Sequence, residues 1–142
     1  MSKTVTAPGG VELPKVESRI WDIPPEYLCD AHLYAQHEAC HEVMDAVARG
    51  YDNDESYIRW EGHDRALARR HDATVHELKA RGIYTQTPLD TDLGALEMPH
   101  NTKSLDWQRG FLSAQECGCD IDGIKAYISR VKGDADGYDD AS

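Results

Sequence analysis

One stretch constrains the fold more than any other: Ser18 to Ala48, SRIWDIPPEYLCDAHLYAQHEACHEVMDAVA. Pro24 and Pro25 suit the first turn of a helix, where no backbone N–H is needed. No breaker follows until Gly50, a suitable C-terminal stop. Leu28, His32, Ala35, Ala39, Val43 and Ala46 recur at intervals of three and four, with Leu33, Cys40, Met44 and Val47 in a neighbouring row. Together they form a broad apolar stripe that needs a core to cover it. His37 and His41 share a helical face, as do Cys29 and His32. Each pair is read either as packed side chains or as half of a metal site.

A second helix is expected after the turn Gly50–Asn53, capped by Asn53 or Asp54 and running to about Arg81. Tyr57, Trp60, Leu67, His71, Val75 and Leu78 line one face of it, which should pack antiparallel on the first helix. Gly82 to about Lys103 reads as a long connection. Ser104 then caps a short helix carrying Leu105, Phe111 and Leu112, and Asp120 or Asp122 starts a last one carrying Ile124, Tyr127, Ile128 and Val131. The expected fold class is all-α: one compact domain of two long crossing helices and two short C-terminal helices with extensive loop. Residues 1–17 read as a flexible polar arm, 18–132 as the helical domain and 133–142 as a disordered acidic tail.

Forty per cent of the chain is hydrophobic and 29% charged, an ordinary balance for a globular domain. No apolar run approaches the roughly 20 residues a membrane helix needs, so no membrane partner is expected. The N-terminus lacks the apolar region of a secretory signal, and the expected location is cytoplasmic or virion-associated. Four cysteines in such a chain suggest free thiols or metal ligands rather than disulfides. The net charge of −11 counts against tight nucleic-acid binding at moderate salt. An aspartate-rich, lysine-poor surface also fits a halophilic source, where repulsion is screened to a few ångströms.

An ordered set of motifs carries a resemblance. Arg19-Ile20-Trp21-Asp22-Ile23-Pro24-Pro25-Glu26-Tyr27-Leu28-Cys29 is followed by His32-Leu33 and His37. Gly50-Tyr51, Asn53, Arg59-Trp60, Gly62, Ala66-Leu67, Arg70-His71, Val75, Glu77, Arg81-Gly82 and Thr87-Pro88-Leu89-Asp90 come after them. From about Ser18 to Asp90 the chain resembles the pyrimidine-dimer DNA glycosylase family, whose type member is a small phage glycosylase/AP lyase. The resemblance implies double-stranded DNA as partner and nucleotide flipping as the route to the lesion. It also implies covalent chemistry: a free N-terminal α-amine forms a Schiff base with the damaged nucleotide's sugar, assisted by a helix glutamate.

Carried across position by position, the amine falls at Ser18, which is internal. The glutamate position is Ala39, and two basic, phosphate-facing positions are Glu38 and Glu42. Two such reversals put repulsion where a polyanion would lie. An active enzyme would need Ser18, His32 and Glu38 as its catalytic set, with Glu38 replacing the missing carboxylate; cleavage after Glu17 would expose the required amine. Arg19, Gln36 and His37 are the duplex contacts the resemblance implies. Arg59, Arg65, Arg69 and Arg70 form either a residual phosphate-binding strip or a face of helical ion pairs.

Three functions follow. The first is a family member without glycosylase activity, repurposed to bind DNA or a protein assembly, including a structural or accessory role in a virus particle. The second is an active glycosylase/AP lyase. The third is a zinc-binding interaction protein. For the last, Cys29 and His32 have the right spacing, and Cys117 and Cys119 lie across one glycine. If the C-terminal segment folds back on the first helix, the four close a zinc site. No other cofactor is expected.

Overall fold

The computed structural model describes residues 4–49, 55–85, 94–115 and 117–136. Its elements are β1 (Thr4–Ala7), β2 (Val11–Pro14), a 3₁₀ turn (Pro25–Tyr27), α1 (Asp30–Arg49), α2 (Glu55–Ile58), α3 (Asp64–Ala80), α4 (Leu105–Gln115) and α5 (Ile121–Asp136). The fold is helix-dominated, as expected. The expected cap at Asn53 or Asp54, the segment Thr87–Asp90 and the end of the acidic tail fall outside the described residues.

The proline pair does not open the long helix directly. Pro25 to Tyr27 make one 3₁₀ turn, Leu28 is extended, and α1 starts at Asp30. The backbone N–H of Cys29 points to the Cys119 sulfur at 3.2 Å rather than into a helix. Cys29 then caps α1: its carbonyl accepts from Leu33 and its sulfur accepts from the His32 N–H at 3.5 Å.

The expected second helix is two helices. Gly62, at φ 82°, breaks the chain between α2 and α3. Residues 94–97 lie against that break: the Ala95 N–H donates to the Gly62 carbonyl, Ala66 N–H donates to the Ala95 carbonyl, and Arg65 Nε donates to the Gly94 carbonyl at 2.7 Å. A Cβ on Gly94 would stand 2.7 Å from the Asp64 nitrogen, so the two strands of chain touch only because that residue is glycine.

α1 and α3 pack antiparallel. Asp30 pairs with Arg81 at 2.9 Å at one end, Gln36 bonds Thr74 in the middle, and Val43 meets Leu67 in the core further along. Arg81 also donates to the Leu28 and Glu26 carbonyls and to Glu77, fastening the 3₁₀ turn to the end of α3. Two core clusters result. The larger joins Trp21, Ile23, Leu28, Leu33 and Leu78 to Leu112, Ile124 and Ile128 of the C-terminal helices. The smaller holds Ile20, Ala39, Cys40, Val43, Trp60 and Leu67.

Residues 4–14 are not a bare arm. They form an antiparallel hairpin with Ala7 opposite Val11, turned by Pro8-Gly9-Gly10 with both glycines at positive φ. Ala7 and Leu13 are buried, and Val5, Val11 and Val16 pack on the larger cluster. Alternating β-branched residues around a glycine turn account for the pairing. Ser104 caps α4 as expected, accepting from the Trp107 N–H at 3.0 Å. Asp120 caps α5 through the Gly123 N–H.

Candidate functional site

Three sites share α1. The first is a cavity of ≈ 490 Å³ between the segment 17–20, the middle of α1, the turn after α2 and the loop 100–103. Ser18, Arg19, Ala39, Tyr57, Arg59, His100 and Lys103 line it. The Ser18 nitrogen is a peptide amide, because Glu17 precedes it. Ala39 presents a methyl group. Arg19 pairs with Glu17 at 2.5 Å and lies over the rings of Trp21, Trp107 and Phe111. Arg59 lies over Trp60, 3.5 Å from Asp22, and donates to the Pro99 and Ile20 carbonyls. Burial draws the Arg59 pKa down and Asp22 opposes the shift. Lys103 lies over Trp107. Among the described residues the lining is therefore mainly basic, and its one carboxylate, Glu17, is paired with Arg19.

The second site joins the start of α1 to the segment between α4 and α5. Cys29 Sγ and His32 Nδ1 are 3.1 Å apart, Cys119 Sγ and His32 Nδ1 3.7 Å, and Cys117 Sγ and Cys119 Sγ 3.5 Å. Ligands about 2.0–2.3 Å from one tetrahedral zinc lie roughly 3.3–3.8 Å from each other. These three separations are close to that spacing, all four atoms lie within 4.8 Å of one another, and this cluster can hold a metal ion. Cys29 is drawn down to about 4, chiefly by its hydrogen bond with Cys119, against desolvation and with help from His32. The same contact pushes Cys119 upward. One thiolate is thus favoured at the α1 N-terminus, where the helix dipole also favours negative charge.

The third site lies on the next faces of α1. His37 and His41 meet His71 of α3, with ring centroids 4.8–5.1 Å apart. One nitrogen from each falls within 4.8 Å of the others. A cavity of ≈ 460 Å³ opens beside them, lined by Pro8, Tyr34, His37, Glu38, His41, Glu42 and Thr85. Desolvation first, then His71 and His41, draws His37 down to about 4, so its ring is neutral at pH 7.

The residues an active enzyme would require are therefore apart. Ser18 lies in the first cavity, His32 in the sulfur cluster and Glu38 in the cavity beside the histidines. Gln36 is fully buried; its Oε1 accepts from the Trp21 N–H and its Nε2 donates to Thr74, so it packs the interior rather than facing a duplex. His37 is likewise buried. Arg59 and Arg65 hold backbone carbonyls, Arg69 is exposed on α3, and Arg70 is turned inward to the Ile23 carbonyl at 3.1 Å. No common arginine strip forms. The four expected metal ligands do come together. Sequence reasoning missed Lys103 and His100, whose loop reaches the first cavity from far along the chain. It also missed His71 as the partner of the His37 and His41 pair, which it reads as packed or as half of a metal site, and the placement of Glu38 directly after His37.

A family model described as pyrimidine dimer DNA glycosylase matches residues 19–91, and the chain belongs to that family. No curated protein and no solved structure matches it. The matched segment contains the first cavity's Arg19, Ala39 and Arg59 and all three clustered histidines. Cys117 and Cys119 lie beyond it.

Proposed function

We propose that this chain keeps the family's scaffold and its nucleotide-sized cavity, has lost the covalent chemistry, and binds DNA without cutting it. The carrying observation is the wall of the first cavity, which has an amide nitrogen at Ser18 and a methyl group at Ala39. An amide lone pair is delocalised into its carbonyl and does not form an imine with a sugar aldehyde. Losing a positioned acid/base lowers rate by about a hundred- to ten-thousand-fold on its own. Arg19, Arg59 and Lys103 line the cavity and supply the positive charge that attracts phosphate.

The hairpin speaks against activation by removing residues 1–17. Leu13 and Ala7 are part of the main core, so cleavage would strip apolar cover from the domain that is meant to act. Zinc held by Cys29, His32, Cys117 and Cys119 is the structural part of the same reading: a closed four-ligand site that pins the α4–α5 connection to α1.

Fluorescence anisotropy with an ultraviolet-damaged duplex, alongside an incision assay, tests the proposal. Binding is expected, weakening steeply with salt, with several-fold loss in Lys103→Ala and no incision. Incision by the full chain, or binding indifferent to Lys103 and to salt, contradicts it.

A further inference from the structure

The three histidines beside the second cavity lie outside the wall of the first, and packing alone leaves them costly. His37 is 7% exposed and both its ring nitrogens lack a hydrogen-bond partner; His71 is 2% exposed and its Nε2 lacks one. Each buried polar atom left unpaired costs about 1–3 kcal/mol. Edge-on and tilted contacts between the rings do not relieve that cost, whereas one cation among their nitrogens does.

We propose that His37, His41 and His71 bind a divalent metal ion of the zinc class with one coordination position left for water, and that Glu38 takes that water's proton to hydrolyse a neutral ester or amide. His37 and His41 are one helical turn apart on α1, and the antiparallel packing of α3 supplies His71 as third ligand. One ligand nitrogen from each lies within 4.8 Å of the others, so side-chain rotations of about an ångström bring them to the roughly 3.3 Å of a tetrahedral site. His71 Nδ1 is already bonded to Asp72 Oδ1 at 3.1 Å. That bond fixes the ring and leaves Nε2 for the metal, the usual carboxylate–histidine–metal arrangement.

Three protein ligands leave a zinc ion open, in contrast to the four-ligand sulfur cluster. The open side is the cavity of ≈ 460 Å³, and Glu38 lines it with Tyr34 and Glu42. A glutamate directly after the first histidine of a His-x-x-x-His pair has the placement a general base needs. In the step itself an O–H bond of the metal-held water breaks and its proton passes to Glu38. The hydroxide oxygen bonds to the acyl carbon, the bond to the leaving oxygen or nitrogen breaks, and Glu38 returns the proton to the leaving group. The products are a carboxylic acid and an alcohol or amine. Two carboxylates on the cavity wall repel phosphodiesters and favour uncharged substrates.

The test loads the full chain with cobalt(II) or zinc, removes unbound ion and counts equivalents. A second equivalent beyond the sulfur cluster is expected. It should lack the sulfur-to-cobalt charge-transfer band and disappear in His41→Gln, a half-exposed position, and in His71→Asn. Glu38→Gln should keep that metal and lose at least tenfold of the metal-dependent hydrolysis of p-nitrophenyl acetate, with bis(p-nitrophenyl) phosphate turned over more slowly by the wild type. Absence of a second equivalent, or its survival in both histidine variants, overturns the site. Metal-dependent ester hydrolysis that is absent, or equal in Glu38→Gln, overturns the assigned chemistry. Loss of DNA binding leaves these readouts untouched, so the two proposals fail separately.

Discussion

The inherited cavity and the sulfur cluster are built on the same helix and have opposite contents. The cavity around Ser18 and Ala39 has shape and positive charge, with an amide nitrogen at Ser18 and a methyl group at Ala39. The cluster of Cys29, His32, Cys117 and Cys119 brings four ligand atoms within 4.8 Å of one another, with His32 buried. α1 presents these sites on different faces, so one can lose its chemistry while the other stays intact. The difference teaches that a fold held by packing of α1 on α3 does not depend on the function of any one face.

The largest expected effect falls on the cluster. Chelation, or Cys119→Ser, should lower stability by more than about 3 kcal/mol, on the order of 10 °C in Tm for a chain of this size, because metal binding free energy is folding free energy. Thermal melts with and without chelator check this; an unchanged melt would mean that the cluster holds no metal in solution. Removing residues 1–17 should come next, at about 2–4 kcal/mol from exposed Leu13, Ala7 and their valine neighbours. Urea titration of the truncated chain measures it, and a truncation without cost would reopen N-terminal processing.

Gln36→Leu is the sharper probe between the two regions, since Gln36 bonds both the Trp21 amide and Thr74. A loss of about 1–3 kcal/mol is expected, with little change in DNA affinity. A large affinity loss with unchanged stability would return Gln36 to the DNA-contacting set. Gly94→Ala should cost roughly 1–3 kcal/mol, because φ is 79° and the added Cβ meets the Asp64 backbone. The smallest effect is a reactivity contrast. Burial pushes Cys40 up to about 12, so it should resist iodoacetamide in the native metal-free protein while Cys29 alkylates. Mass spectrometry of the labelled peptides reads the order.

Much of the fold was legible because its signals are local. The 3.6-residue period marked α1 and α3, Ser104 marked α4, and Asp120 marked α5. The sulfur ligands were legible as two short spacings, Cys29 with His32 and Cys117 with Cys119. What failed needed contacts between distant segments. Gly62 reads as a tolerable glycine inside a helix until residues 94–97 are seen hydrogen-bonding to it. Gln36 and His37 read as surface residues on a DNA-facing helix until α3 covers them. The hairpin was readable from Thr4, Val5 and Thr6 opposite Val11 and Leu13, but a glycine turn near an N-terminus equally describes a loose tail.

The proposed loss of imine chemistry is tested most directly by borohydride reduction of the full-length protein mixed with abasic-site duplex. An imine between protein and sugar is fixed as a covalent adduct, visible as a shifted band. With an amide at Ser18 and a methyl at Ala39, no adduct through Ser18 should form. A trapped species whose cross-linked peptide contains Ser18 would contradict the account at its centre.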